Sequence, residues 1–244
     1  MAVFTMKIAG HTAQVTSLFE SPPPQFSRYL TDSQPEFFVT VTPEDLAFEQ
    51  RELDAEALAE GFRRRAFTDP FLERAAIQRA YAEFLLRNST LLLRGSTVAV
   101  DGKAYLFTAR SGTGKSTHTR LWQQAFGSRS QMVNDDKPFL EITDPAVLAY
   151  GSPWSGKHGL DNNICVPLAG ICLLERGTIN EIRPASREEL LPILFHESYR
   201  PLNPEYDGIY RQLVNTLAET VPLWHMYCNR DPEAAVVAHN AMSK

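Results

Sequence analysis

The stretch with the clearest chemical content is Ala109-Arg110-Ser111-Gly112-Thr113-Gly114-Lys115-Ser116-Thr117. Its glycines let consecutive backbone N–H groups turn toward one anion. A Gly-Lys-Ser run that opens a helix adds the positive end of that helix to the same anion. In this chemistry Lys115 reaches the β- and γ-phosphates of a nucleotide and the Ser116 hydroxyl holds Mg²⁺. Ser111, Gly112, Thr113, Gly114 and Thr117 complete the cradle. The usual pattern opens with glycine, and here Ala109 stands in that place. Alanine is small enough for a close turn but disfavours positive φ, so a strict pattern search passes over this loop. The competing reading is a Gly/Ser-rich turn that only caps a helix.

A second group lies downstream. Gln131-Met132-Val133-Asn134-Asp135-Asp136 reads as a short strand ending in two acids. An acid at a strand end near a phosphate loop organises Mg²⁺, directly or through water. Its neighbour can accept the proton of an attacking hydroxyl. Gly151-Ser152-Pro153-Trp154-Ser155-Gly156-Lys157 combines glycines, hydroxyls, an aromatic and a cation. There Lys157 is a candidate to neutralise a moving phosphoryl group and Trp154 to wall a pocket, against an ordinary loop whose Trp packs on the core. Arg110, Lys115, Lys137 and Lys157 form a positive cluster if they converge, which suits an anionic ligand. His118 and Arg120 are expected to be exposed. His196, His225 and His239 carry no motif.

The elements that must position these groups follow in order. Val3–Ile8 reads as a strand with 14–19 as its partner across Gly10, and 37–41 as another. Helices are expected over 43–64, with Thr42 as cap, and over 69–88, with Ile77, Tyr81, Phe84 and Leu85 on one face. Asp101-Gly102 between two apolar runs signals a type I′ hairpin, so the loop follows the second strand of an antiparallel pair. In common phosphate-loop proteins that strand belongs to a parallel sheet built from crossovers, so a mixed sheet is expected here. A helix from 114 to 126 ends at Gly127. Strands are expected over 139–142, 147–150, 169–174, 178–183 and 223–227. Helices are expected from Ser186, with Glu189 completing a capping box, over 206–220, and from a cap at Asp231-Pro232 to about 242.

The chain of 244 residues suits one large α/β domain with a smaller lobe, divided at 1–88 and 89–244. Acidic residues outnumber basic ones, giving a net charge of −5, which argues against a general nucleic-acid binder. No apolar run is long enough for a membrane span and no leader segment is evident, so a cytoplasmic protein is expected. Cys165, Cys172 and Cys228 are scattered without metal-ligand spacing and are expected to be reduced.

On these motifs the chain resembles the phosphoenolpyruvate-carboxykinase-like group of P-loop phosphotransferases. It is most similar there to HPr kinase/phosphorylase and its small relatives, including ones that modify peptides. The resemblance rests on the hairpin into Ser111–Ser116, on Asn134-Asp135-Asp136 and on the Gly151–Lys157 run. It implies a mixed-sheet P-loop domain, residues 89–244, with a smaller N-terminal α+β lobe on the lid or acceptor side. It implies ATP and Mg²⁺ as cofactors, Asp136 as proton acceptor, Asp135 as metal-holding neighbour, and Lys115 and Ser116 as phosphate and magnesium ligands. The family's His-Gly before the loop is here Arg94-Gly95. An arginine stays charged at neutral pH and suits binding substrate charge instead. The expected activity is a kinase acting on a hydroxyl of a small metabolite, a polyol or serine-like compound, with Arg94, Trp154 and Lys157 on the acceptor side. A serine in a peptide or protein is the second acceptor class. A nucleotide-binding switch without transfer and a nucleotide hydrolase are the other classes. The family's kinases assemble as oligomers, which allows the same here.

Overall fold

The computed structural model describes residues 1–59, 61–143 and 145–244. The chain divides into two compact units, Met1–Phe84 and Leu85–Lys244. In the first, β1 (Val3–Ile8) and β2 (His11–Thr16) run antiparallel, and β3 (Phe37–Thr40) lies parallel to β2. Ala9 and Gly10 take φ of 49° and 80°, a two-residue turn that sets Ile8 opposite His11. That tight turn starts β2 earlier than the expected 14–19. The strand ends where Glu73 draws off the next polar groups, accepting from Ser17 Oγ at 2.8 Å and from Leu18 N at 2.7 Å.

Helix α1 (Pro43–Ala59) is shorter than the expected 43–64. Gly61 N donates to Leu58 O and Phe62 N to Ala57 O, the paired bonds of a glycine-terminated helix. Of the expected span, Glu60 lies outside the described residues. Helix α2 (Asp69–Leu86) buries Ile77 and Tyr81 as the spacing predicts. The Tyr81 hydroxyl donates to Met6 O at 2.6 Å and accepts from Ala13 N, so the phenol joins helix to hairpin.

The second unit is built on a curled mixed sheet with helices on both faces. Its strands are β4 (Thr90–Leu92), β5 (Ser96–Val100), β6 (Lys103–Thr108), β7 (Ser130–Asn134), β8 (Phe139–Ile142), β9 (Val147–Tyr150), β10 (Cys165–Arg176), β11 (Glu181–Pro184) and β12 (Leu223–Cys228). The order is β4-β8-β9-β10-β6-β5-β7, with β12 on β10 and β11 on β12. Asp101 and Gly102 have φ of 50° and 77°, so the β5–β6 turn is type I′ as expected. β6 then lies antiparallel to β5 on one side and parallel to β10 on the other. Strand β10 is twice the expected length because it serves several neighbours. Cys165–Pro167 pair with β9, and the rest lies parallel to β6 and β12.

Period-two alternation separates the faces. Ala104 and Leu106 pack with α4 (Arg187–Glu197) and α5 (Asp207–Thr220), through Leu190, Leu194, Val214 and Leu217. Tyr105 and Phe107 pack with α3 (Lys115–Phe126) and α6 (Glu233–Met242), through Trp122, Ala234 and Ala238. Two expected caps differ. Asp231 accepts from Asn229 Nδ2 at 2.8 Å, and α6 is closed instead by Ala234 N on the Asp231 carbonyl. The Ser186 hydroxyl does accept from Glu189 N at 3.3 Å, but the Glu189 carboxylate turns away from a capping box. It accepts from Arg183 at 2.7 and 2.9 Å and from His225 Nδ1 at 2.6 Å, which outcompete a second bond to one cap. The segment before it is paired over Glu181–Pro184 rather than 178–183. Among the described residues no helix is long and apolar enough to cross a membrane.

Arg183, and then His225, hold the Glu189 carboxyl well below its usual 4.5, at about 2. A depressed carboxylate stabilises the fold fully above its unfolded pKa and loses that contribution as pH falls toward the folded value. Glu189→Gln is therefore expected to be less stable than the parent by a constant margin above about pH 5, a margin that closes toward pH 2. Urea titrations at several pH values check this, and a margin that persists at pH 2 contradicts it.

Candidate active site

β6 ends at Thr108, and the loop turns through residues 109–114 into α3. Gly112 and Gly114 take φ of 76° and 125°, which side chains resist. Ala109 is fully buried, and among the described residues the non-glycine positive φ values fall only at Ala9, Ser89 and Asp101. Alanine at the first loop position thus costs no backbone strain. The Lys115 ammonium donates to the Ala109 carbonyl at 2.8 Å and closes the loop on itself. Burial pulls its pKa below the usual lysine value, and the charges of Glu197 and Asp136 work against that shift.

The acid pair is brought to the same place. The Ser96 hydroxyl donates to Asp135 Oδ1 at 2.6 Å. A hydroxyl has one proton, so Thr119 Oγ1, 2.8 Å away, is the donor to Ser96. That chain ties the end of β7 to the start of β5 and the second turn of α3. Asp135 is buried, and desolvation raises its pKa. Ser96 and the nearby Ser116 hydroxyl, with the Arg120 charge, oppose the rise. A buried, partly compensated carboxylate beside a serine hydroxyl fits a hard cation, so Ser116 and Asp135 are the residues that would hold Mg²⁺.

Asp136 is partly buried, and its backbone is fixed twice. Asn134 Oδ1 accepts from Asp136 N at 2.7 Å and Lys137 N at 2.6 Å. Gly95 N donates to Asp136 O at 2.8 Å. Asn134 Nδ2 donates to Ser152 O and Oγ, and Ser152 Oγ donates to Lys137 O. The Gly151–Lys157 stretch therefore buttresses the acids. Its Trp154 is buried against Phe139, rings 6.2 Å apart, and Lys157 is exposed in a short turn at Gly156–His158. Arg94, just before β5, bonds through its backbone N to Glu197 O at 2.7 Å.

Two clefts flank the loop. One, of 280 Å³, is lined by Thr117, His118, Asn229 and Arg230. The other, of 600 Å³, is lined by Arg110, Ile193, His196 and Glu197. Thr113 and Arg176 border both. Arg176 Nη2 donates to Gly112 O at 2.5 Å and Nε to Thr113 O at 3.3 Å, so this arginine clasps the loop's carbonyls. Sequence reasoning missed Arg176 and Glu197, since neither sits in a motif and only the parallel β6–β10 pairing and the end of α4 bring them here. It also placed His118 in solvent. His118 is 2% exposed and takes the Trp122 indole N–H on Nε2 at 3.1 Å. The ring proton is then on Nδ1, and burial lowers the pKa to about 4, so this ring is neutral near pH 7.

No protein-family profile matches the sequence, and no curated protein matches it. Among solved structures, the chain is similar to the HPr(Ser) kinase/phosphatase from Coxiella burnetii. The TM-score is 0.37 and the identity 11%, over 62% of this chain and 95% of that one. A likeness of that size assigns no residue a role.

Gly151 is the tightest point of the buttress. A Cβ there would lie 1.8 Å from Asn162 O and 2.8 Å from Val133 O. Gly151→Ala is expected to cost about 3 kcal/mol and to lower Tm by roughly 6–12 °C. Calorimetry tests it, and an unchanged melting profile would show that the 133–162 backbone contact is not tight.

Proposed function

We propose that the Leu85–Lys244 unit is a kinase that transfers the γ-phosphoryl group of Mg-ATP to a hydroxyl of a small molecule. One observation carries this reading. The ammonium of Lys115 and the hydroxyl of Ser116, at the start of α3, stand within electrostatic reach of Asp135 and Asp136 at the end of β7. The start of α3 and the end of β7 thus bring a cation, a hydroxyl and two carboxylates near enough for their charges to act on one another, which supports the reading.

Each group then has a distinct task. The N–H groups of the glycine turns and the N-terminus of α3 bind phosphate oxygens. Lys115 leaves the Ala109 carbonyl for the β- and γ-phosphates, exchanging a neutral acceptor for charged ones. Ser116 and Asp135 would hold Mg²⁺, which would supply charge neutralisation at the phosphate oxygens. Asp136 takes the proton of the acceptor hydroxyl as its oxygen bonds to phosphorus. Asn134 Oδ1 and Gly95 N hold the Asp136 backbone, so the residue's place in the chain is set before substrate arrives.

Purified protein with Mg-ATP and a panel of hydroxyl metabolites is expected to yield a product heavier by one phosphate. Asp136→Asn is expected to lower transfer by about 10²–10⁴-fold while nucleotide still binds by calorimetry. Lys115→Ala is expected to weaken nucleotide binding itself. Wild-type transfer by Asp136→Asn would remove that residue as the proton acceptor.

A further inference from the structure

Glu197 is an acid that the chemistry above leaves without a task. It ends α4, its side chain is 5% exposed, and its Oε2 has no hydrogen-bond partner. Oε1 takes His196 Nδ1 at 3.1 Å, and Arg94 Nε stands 4.0 Å from Oε2, beyond hydrogen-bond range. A buried carboxylate oxygen without a donor is costly unless something supplies one. Glu197 also lines the 600 Å³ cleft that includes Arg110 and Thr113 of the loop.

Its backbone is anchored beside that of Asp136. Arg94 N bonds to the Glu197 carbonyl and the next residue, Gly95, to the Asp136 carbonyl. The two acidic residues are therefore tied to adjacent backbone positions just before β5. Both charges act on Lys115.

Phosphates delivered to Lys115 would bring anionic oxygens beside Glu197. Like charges repel, and Arg94 pairs with Glu197 only at 4.0 Å without a hydrogen bond, so Oε2 favours a donor that brings positive charge with the substrates. A divalent ion collects several oxygens, whereas Glu197 has one oxygen to give. An ammonium has three N–H donors and is satisfied by one such oxygen with others from around it.

Resting on the phosphotransfer reading above, we infer that the acceptor is a hydroxyl compound bearing an ammonium group, the ammonium entering from this cleft to Glu197 Oε2 and the hydroxyl reaching Asp136, which lies beyond the cleft's lining. The chemical class is a small amino alcohol or hydroxy amino acid. In the step, the acceptor oxygen forms a bond to the γ-phosphorus and the bond from that phosphorus to the β-bridging oxygen breaks. The hydroxyl proton passes to Asp136, and ADP leaves with the electron pair. The ammonium keeps its protons and only orients the acceptor.

The test uses the full chain, Mg-ATP and matched acceptors: serine against glycerate, ethanolamine against ethylene glycol, 2-amino-1,3-propanediol against glycerol. The expected result is a kcat/KM at least about tenfold higher for each ammonium-bearing member. Glu197→Gln is expected to erase most of that preference, chiefly through KM, and Glu197→Asp to restore part of it. Equal or better transfer to the uncharged or anionic members of the wild-type pairs overturns the inference and leaves the kinase reading standing. So does a Glu197→Gln enzyme that keeps its preference but needs more Mg²⁺, which would make the carboxylate a metal ligand. No transfer to any acceptor, with Mg-ATP bound, overturns the kinase reading and this inference together. Because the wild-type pairs decide the matter alone, a variant that fails to fold does not protect the idea.

Discussion

The hydrogen-bond chain from Asp135 through Ser96 to Thr119 is the constraint on which the site depends. It joins three elements that the sequence separates: the end of β7, the start of β5 and the second turn of α3. Bonds to a buried charge are worth about 1.5–3 kcal/mol each, so they hold the carboxylate in place and oppose, without cancelling, the rise that desolvation imposes on its pKa. The direction of the chain is forced, because Ser96 has one proton and spends it on the acid. The loop glycines need only supply backbone freedom, while the alignment of helix and acid comes from these hydroxyls.

Strand β10 supplies the second alignment. Its parallel pairing with β6 carries Arg176 past the end of Thr108 to the loop, where it bonds two carbonyls. Carbonyls turned outward are the counterpart of N–H groups turned inward, so a cation that holds the former favours the latter. The antiparallel partner on the other side, β5, brings Arg94-Gly95 and through them Glu197 and Asp136. The mixed sheet therefore delivers different chemistry to the loop from each edge of one strand. A purely parallel arrangement would have no hairpin partner starting at that end.

Much of this was legible in the residues. Asp101-Gly102 announced its turn because φ above zero at both positions is chemically selective. The 139–142 and 147–150 strands, the α3 boundaries and the mixed sheet follow from local patterns of the same kind. What was illegible depended on competition between distant partners. Glu189 was spaced for a capping box, but a guanidinium and an imidazole reach it first. His118 looked exposed because one turn of helix gives no sign of Phe107 and Trp122, whose rings enclose it. Trp154 offered two readings, and its burial against Phe139 follows from the Ser152–Lys137 bond that fixes its loop. Arg176 and Glu197 carry no local signal, since a charge at the end of a strand or helix is most often a solvated one.

The balance of charge explains how an acidic chain can suit an anionic ligand. Around Lys115 the neighbouring charges are Arg94 and the acids Glu197, Asp136 and Asp135, with Arg120 acting on Asp135. Three cations therefore face three carboxylates, and the interior of the site is close to neutral. The magnesium nucleotide proposed above would arrive with net negative charge, which such an interior does not attract. The attraction must come from the lip, where Arg110 lines one cleft and Arg176 borders both. Long-range charge steers and local charge holds: the lip arginines would favour the approach of an anionic ligand, while inside the site Glu197 and Asp136 oppose the fall that burial imposes on the Lys115 pKa.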